Sequence, residues 1–278
     1  MGPGFKYHVV TVAAIFFALT VGLVVGSLYV SPQLADRQTR AIRDLRTTLI
    51  TDIAQQRQQI ARYQDFVTQA RPILLKKKLE NRNVAIIQLG DYPETVTAVR
   101  EALTEAGAKI LSQTELERTL NIFDDQLLPL LQKLHAEDPR IPETRAEFFV
   151  FLASLLDGSI ALPEDLVTLL IRERLIQSDT ESRYNISVPL FVVISGSRLD
   201  TDRANQVDIP LIEALLKAKR TVVACEPQDA SVSDFLSYRV KDLELPLVER
   251  VETEMGSCAL VFALRGEKLF ANASETAK

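Results

Sequence analysis

Tryptophan is missing from this chain. Glycine, histidine, cysteine and methionine are scarce, at 10, 2, 2 and 2 of 278 residues. So few glycines disfavour a barrel or lectin-like fold of many short, tightly turned strands. Two cysteines, Cys225 and Cys258, cannot build a disulfide framework. Both lie in apolar runs, TVVAC and SCALVFAL, that read as buried strands. His8 stands at the edge of an apolar segment, and His135 reads as a surface residue of the helical stretch LQKLHAED. No G-x-G-x-x-G, Walker A, H-E-x-x-H, C-x-x-C or G-x-S-x-G occurs. Nucleotide binding, zinc hydrolysis, dithiol redox and nucleophile-elbow chemistry therefore have no signature here. The expectation is a protein that is not an enzyme and has no catalytic residues, metal site or cofactor.

Charge is also absent, over one stretch. Val9 to Val30 is a run of 22 residues without a charged side chain. As a helix it would be about 33 Å long, enough to cross a bilayer's hydrocarbon core. It is long for a signal-peptide core, and Val25-Gly26-Ser27 is a weak cleavage site, so an uncleaved anchor is expected. Ala14, Ala18, Gly22 and Gly26 recur every fourth residue and share one helix stripe, where small side chains let two helices approach closely. That stripe is the expected transmembrane dimer face. Orientation is contested: a naive positive-inside count, with Lys6 before the run and Arg37, Arg40, Arg43 and Arg46, offset by Asp36 and Asp44, after it, would keep the C-terminal side in the cytoplasm, but the residues alone do not fix it.

Beyond the anchor the chain is charged, and unevenly so. Residues 31–82 carry a net charge of +6 and residues 83–278 a net of −12. The acidic part disfavours nucleic acid as a partner. In the basic part, Ala35, Ile42, Leu45 and Leu49 fit one heptad register. Ile53, Ile60, Tyr63, Val67, Ala70 and Leu74 fit another after a four-residue stutter, with Gln56 at a core position. This predicts a coiled-coil stalk that Pro72 kinks or ends. The organisation expected is a short tail (1–8), a transmembrane helix (9–30), the stalk (31–80), an α/β domain (81–270) and a flexible tail (271–278).

In the body, apolar runs alternate with helix-period segments. NVAIIQLG (83–90), AKIL (108–111), PLFVVISG (189–196), RTVVACE (220–226) and SCALVFAL (257–264) read as strands. Glu94–Ala106 and Ile209–Ala218 read as helices, the second capped by Asp208. Between the two βαβ units lie helical stretches at Leu116–Leu134, Glu143–Leu156 and Glu164–Ile176, with Pro142 and Pro163 just inside helix starts. The fold class is α/β: a Rossmann-like, mostly parallel sheet with a helical insertion. Ligands of such sheets sit at the carboxyl ends of the strands. The candidate ligand or partner loops therefore carry Asp91, Tyr92, Ser197, Asp200, Asp202 and Asn205. Asp91, Asp200, Asp202 and Glu226 are the acids a hard cation would use there, but such acids are more often helix caps and loop residues.

FKYHVVTVAAIFFALTVGLVVGS (Phe5–Ser27) has the pattern AxFxALxxGxxxG, and ISGSRLDTDRANQ (194–206) and MGSCALVFALRGE (255–267) extend the likeness along the chain. These segments resemble the MctB-like family of membrane-anchored proteins, named for a copper transporter. The resemblance implies copper transport or homeostasis and a body outside the cytoplasmic membrane. It also implies, from related members, an envelope role alongside a second membrane or envelope protein. One type of member within that family ends in a His-rich tail, whereas this chain ends RGEKLFANASETAK, without His, Cys or Met. Copper is thus implied by the resemblance alone. The residues favour a homodimeric, bilayer-anchored scaffold, and the resemblance implies that it serves the envelope.

Overall fold

A computed structural model describes residues 3–116, 124–159, 164–179, 182–198 and 202–267. Asp200, Pro163 and the tail after Phe270 lie outside them, as does the side chain of Ala35. Two compact units are present, Met1–Asp65 and Phe66–Lys278.

The first unit is helical. Helix α1 is Pro3–Leu75, so its last ten residues belong to the second unit. Tyr7–Gly26 is long and apolar enough to cross a membrane, with mean hydropathy 2.6. Thr11 and Thr20 return their hydroxyls to the carbonyls of Tyr7 and Phe16 at 2.8 Å, so neither hydroxyl is left for lipid to solvate. Nothing would meet a Cβ at Gly22 or Gly26, so the small-residue stripe is open. Pro72 does not stop the helix. It runs one turn further, to Leu75, and ends where Lys77 takes φ 62°.

The second unit is a six-stranded sheet in the order β3-β2-β1-β4-β5-β6. The strands are β1 (Asn83–Gln88), β2 (Lys109–Leu116), β3 (Ile176–Ser178), β4 (Leu190–Ile194), β5 (Thr221–Glu226) and β6 (Leu247–Glu249). All neighbours are parallel except β3, which is antiparallel to β2. The central strands β1, β4 and β5 are buried on both faces, which is why they read as unbroken apolar runs. Alternate residues supply two cores. Ala85, Ile87, Phe191, Val193 and Ala224 face α3 (Asp124–Glu137), α4 (Arg145–Leu156), α5 (Glu164–Arg172), α6 (Ile209–Lys217) and α7 (Phe235–Val240). Val84, Ile86, Val192, Val223 and Cys225 face α2 (Pro93–Glu105) and α8 (Glu254–Leu264). Leu75 and Leu79 complete this second core, and Arg71 holds α1 to it through Glu105 (2.9 Å) and Glu254 (2.7 Å).

Several expectations need correcting. SCALVFAL is not the last strand; it lies in α8. Thr253 caps that helix by accepting a hydrogen bond from Gly256 N at 3.1 Å, with Glu254 in the first turn. A short apolar run buried nearly all round does not betray its period. The last strand is β6, three residues long. Leu116 ends β2 rather than opening a helix, because Ser112, Thr114 and Leu116 alternate inward and the two polar members hide the pattern. Ile176 lies in β3, not in a helix. Pro142 precedes the α4 N-cap, Thr144, whose hydroxyl accepts from Glu147 N at 3.4 Å and donates to Glu147 Oε2 at 2.7 Å. Asp208 makes no side-chain cap to α6. The π-helix Ala204–Asp208 runs directly into α6, so no free helix start exists there.

Candidate functional site

The chain leaves β1 for α2 on one face of the sheet and leaves β4 for α6 on the other. The carboxyl ends of β1 and β4 therefore flank a topological switch point, where open α/β sheets take ligands. Here the chain's own loops close that crevice. Leu89 N and Gly90 N both donate to Ile194 O at 2.8 and 2.9 Å, and Asp91 N donates to Gly196 O at 3.0 Å. A Cβ at Gly90 would run into the Gly196 and Ser195 carbonyls, so only glycine permits this approach. Gly196, at φ +97°, turns its N–H to Asp234 Oδ2 at 2.7 Å.

A third loop, residues 227–234, lies across the other two. Ser197 and Val232 exchange backbone hydrogen bonds at 2.9 Å in an isolated bridge. Tyr92 is buried. Its hydroxyl accepts from Ser231 N (2.8 Å) and donates to Asp229 O (3.1 Å). Arg198 N donates to Asp91 Oδ2 at 3.0 Å, and the Arg198 guanidinium lies 5.2 Å from the Tyr92 ring centroid. Of the predicted site residues, Asp91, Tyr92 and Ser197 thus come together, in the service of loop closure. Asp202 and Asn205 are exposed and pair with each other at 2.6 Å at the entry to the π-helix. Glu226 accepts from Asp234 N and Ser233 Oγ, both at 2.7 Å. Among the described residues, no group of three His, Cys, Asp or Glu side chains is placed to hold a metal ion.

Beneath the loops lies a buried polar network that the sequence does not announce. Tyr238 Oη donates to Asp208 Oδ2 at 2.8 Å. Arg203 Nη2 donates to the Leu116 carbonyl at 3.0 Å, while its Nε stands 3.7 Å from Asp208 Oδ1. Burial pushes the Asp208 carboxyl up to about 7 against the opposing pull of Arg203. Burial also raises Glu226 and Asp234. Tyr238 lies 30 residues from Asp208 in the chain, so no local motif marks the pair.

The family described as "Copper transport outer membrane protein, MctB" matches residues 4–269. The chain belongs to the MctB family. Relatives include the Copper transporter MctB of Mycobacterium bovis and of Mycobacterium tuberculosis. Each is 23% identical over 288 aligned positions, spanning 93% of this chain and 91% of the relative.

In this MctB-family chain both cysteines belong to the core beside α2 and α8. Cys225 is sealed in β5 and Cys258 in α8, and burial raises both thiols. Neutral buried thiols are poor ligands and poor nucleophiles. Met255 is exposed at the start of α8. His135 belongs to α3, across the sheet, and its ring nitrogens are engaged by Ile141 O (2.6 Å) and Glu143 Oε1 (3.2 Å).

Proposed function

We propose that this MctB-family protein is a single-pass membrane-anchored, dimeric, non-catalytic scaffold. Its Rossmann-like head lies outside the cytoplasmic membrane and presents a binding surface to a second envelope or membrane protein. The observation that carries this reading is the closed crevice. The place where the fold would take a small ligand is filled by residues 89–92, 195–198 and 227–234, bonded to one another. The strand order 3-2-1-4-5-6 supports the Rossmann-like assignment, with an antiparallel edge at β3. The apolar segment Tyr7–Gly26 supports the anchor. Its open Ala14, Ala18, Gly22 and Gly26 stripe, followed by heptads, supports a dimer through anchor and coiled-coil stalk. The head's surface then does the work, with Arg198 and Glu94 beside the closed crevice as its accessible chemistry.

The family match favours a second reading, copper transport or homeostasis with copper as cargo. Cu(I) is held by thiolate or thioether and Cu(II) by imidazole, from several ligands at once. Cys225 and Cys258 are buried in one core, Met255 is exposed one turn before Cys258, and His135 belongs to a helix on the other face of the sheet. The deciding experiment is a Cu(I) titration of the detergent-solubilised chain against a competing chelator, repeated with Cys225→Ser and Cys258→Ser. No stoichiometric binding is expected. Tight binding lost in those variants would replace the scaffold with the transporter.

A further inference from the structure

A groove of about 770 Å³ lies open between α2 and the carboxyl halves of β1 and β2. It shares no residue with the closed crevice or with the Asp208 network. Helical spacing on one wall and strand spacing on the other line it, from Val96 and Arg100 on α2 to Gln113 and Glu115 on β2. Gln88, the last residue of β1, forms part of the lining and is 4% exposed. Its Nε2 reaches only Gly90 O, at 3.4 Å, and its Oε1 accepts no hydrogen bond from a described residue. Whatever enters the groove, water or ligand, must supply that donor. The walls repeat the demand. Glu101 and Glu115 are exposed and have no ion-pair partner among the described residues. Arg100, the one cation among the lining residues, gives Nη1 to Gln113 Oε1 at 2.8 Å and Asp179 Oδ2 at 3.0 Å. Glu105 is held by Arg71 at 2.9 Å. The chemistry left over is therefore an amide oxygen and two carboxylates, all acceptors, beside the apolar side chain of Val96.

We propose that this groove binds an extended segment of a partner protein in which lysine or arginine alternates with apolar residues. This rests on the scaffold reading and names the chemistry of the partner. Charge complementarity selects the occupant: the free groups of the groove are negative, and an acidic segment would be repelled. Among the described residues no three acidic, His or Cys side chains converge to hold a metal ion. Carboxylates set apart on two walls suit cations set apart along a chain. An extended segment repeats side chains on one side about every 7 Å, so successive basic groups can answer Glu101 and Glu115. It also brings backbone N–H groups, which are the donors Gln88 Oε1 lacks, and apolar side chains to cover Val96.

The test is a fluorescence-anisotropy titration of the full chain in nonionic detergent. The probe is a labelled, end-blocked pentapeptide alternating lysine and valine, with a glutamate–valine counterpart as control. The lysine peptide is expected to bind and the glutamate peptide not to. Glu101→Gln with Glu115→Gln should weaken binding roughly tenfold, as the loss of two partly exposed ion pairs. Gln88→Leu should weaken it as well, measured below the melt of that variant. Glu244→Gln with Glu249→Gln removes the same charge beside β6, at the far edge of the sheet, and should leave the affinity nearly unchanged. Equal weakening by the two double variants would mean that the peptide answers only the head's net charge, and overturns the proposal. So would undiminished binding in Glu101→Gln with Glu115→Gln, or no binding of the lysine peptide to the native chain. Spermidine that competes as well as the unlabelled peptide would assign the groove to free amines and overturn the partner segment. Cross-linking of the native chain to a partner in membranes judges the scaffold reading separately. If a partner is trapped equally in the native chain and in Glu101→Gln with Glu115→Gln, the scaffold stands and the groove falls. If none is trapped, the scaffold reading falls whatever the peptide does.

Discussion

Arg203 Nε and Asp208 Oδ1 face each other at 3.7 Å inside the head, and neither atom has a hydrogen-bond partner. The pair is too long for a hydrogen bond, and burial of the carboxyl outweighs the opposing pull of Arg203, so Asp208 holds a proton more readily than an exposed carboxyl would. Asp234 and Glu226, which also bear on it, are raised by burial themselves. The folded pKa of Asp208 is about 7, against an ordinary value of 3.8. Between those values the folded chain keeps a proton that the unfolded chain has lost. This group's contribution therefore favours folding at the acid end, declines as pH rises from about 4 to about 7, and is flat above. The whole effect is on the order of 4 kcal/mol at most, at about 1.4 kcal/mol per pKa unit. Denaturant unfolding at pH 5 and pH 8 should show the more stable head at pH 5. Asp208→Asn, which imitates the protonated form, should lose most of that difference. An Asn variant with an undiminished difference would assign the effect elsewhere. Tyr238→Phe probes the same network from the other side. Losing the donor to Asp208 Oδ2 leaves a buried oxygen without its hydrogen bond, a cost of about 1–3 kcal/mol. That loss should be larger at pH 8, where Asp208 is ionised, than at pH 5. Equal losses at both would mean the hydroxyl serves packing alone.

Gly90→Ala should destabilise the head by about 1–3 kcal/mol through overpacking. Its Cβ would meet the backbone carbonyls of Ser195 and Gly196, which have no side-chain freedom to retreat. Thermal unfolding measures this. An unchanged melting temperature would mean the β1 and β4 loops part easily, which weakens the closed-crevice argument.

Much of this head was legible from sequence, and the failures have physical causes. β1, β4 and β5 are buried on both faces and announce themselves as apolar runs between glycine and polar turns. α8 is as apolar as a strand because it too is buried nearly all round, and its signal was the cap at Thr253 rather than its composition. β3 and β6, at three residues each, are too short to show a period. The loops carrying Asp91, Tyr92 and Ser197 lie at the strand ends, because strand direction fixes where they emerge. That they would bind one another depended on residues 227–234, which no local pattern ties to Gly196. The Asp208 network was hidden for the same reason, since its members come from separate segments of the chain.

Leu75 and Leu79 bear on where the head begins. Both are fully buried in the core beside α2 and α8, and Arg71 adds two ion pairs. A fragment starting at Phe66 should fold cooperatively. One starting at Asn83 loses two core leucines, at roughly 1.5–3 kcal/mol each. Its circular dichroism melt should be broad or shifted far down. Equal melts would show that the end of α1 is dispensable.

Association in the membrane should depend on the small-residue stripe. Gly22→Ile with Gly26→Ile places two branched side chains where nothing now stands, and keeps the helix axes apart. Dimer trapped through the stalk should fall in this variant while membrane retention after an alkaline wash is unchanged. An undiminished dimer would leave the stalk as its sole determinant.

Arg198 separates a binding role for the crevice loops from a structural one. Its backbone N–H holds Asp91, a bond that any replacement but proline keeps. Its side chain is exposed, 3.7 Å from Glu94 and over the Tyr92 ring. A surface pair of this kind contributes about 0–1 kcal/mol. Arg198→Glu should therefore leave the melting temperature nearly unchanged, yet reverse the charge at the mouth of the closed crevice. Tyr92→Phe should do the opposite: it lowers stability by unpairing Ser231 N and Asp229 O, and leaves the surface charge as it was. If the head works by protein contact at these loops, a partner cross-linked to the native chain in membranes should be lost in Arg198→Glu and retained in Tyr92→Phe at temperatures below its melt. Loss in both, in proportion to stability, would mean the loops merely hold the head together and the contact lies elsewhere.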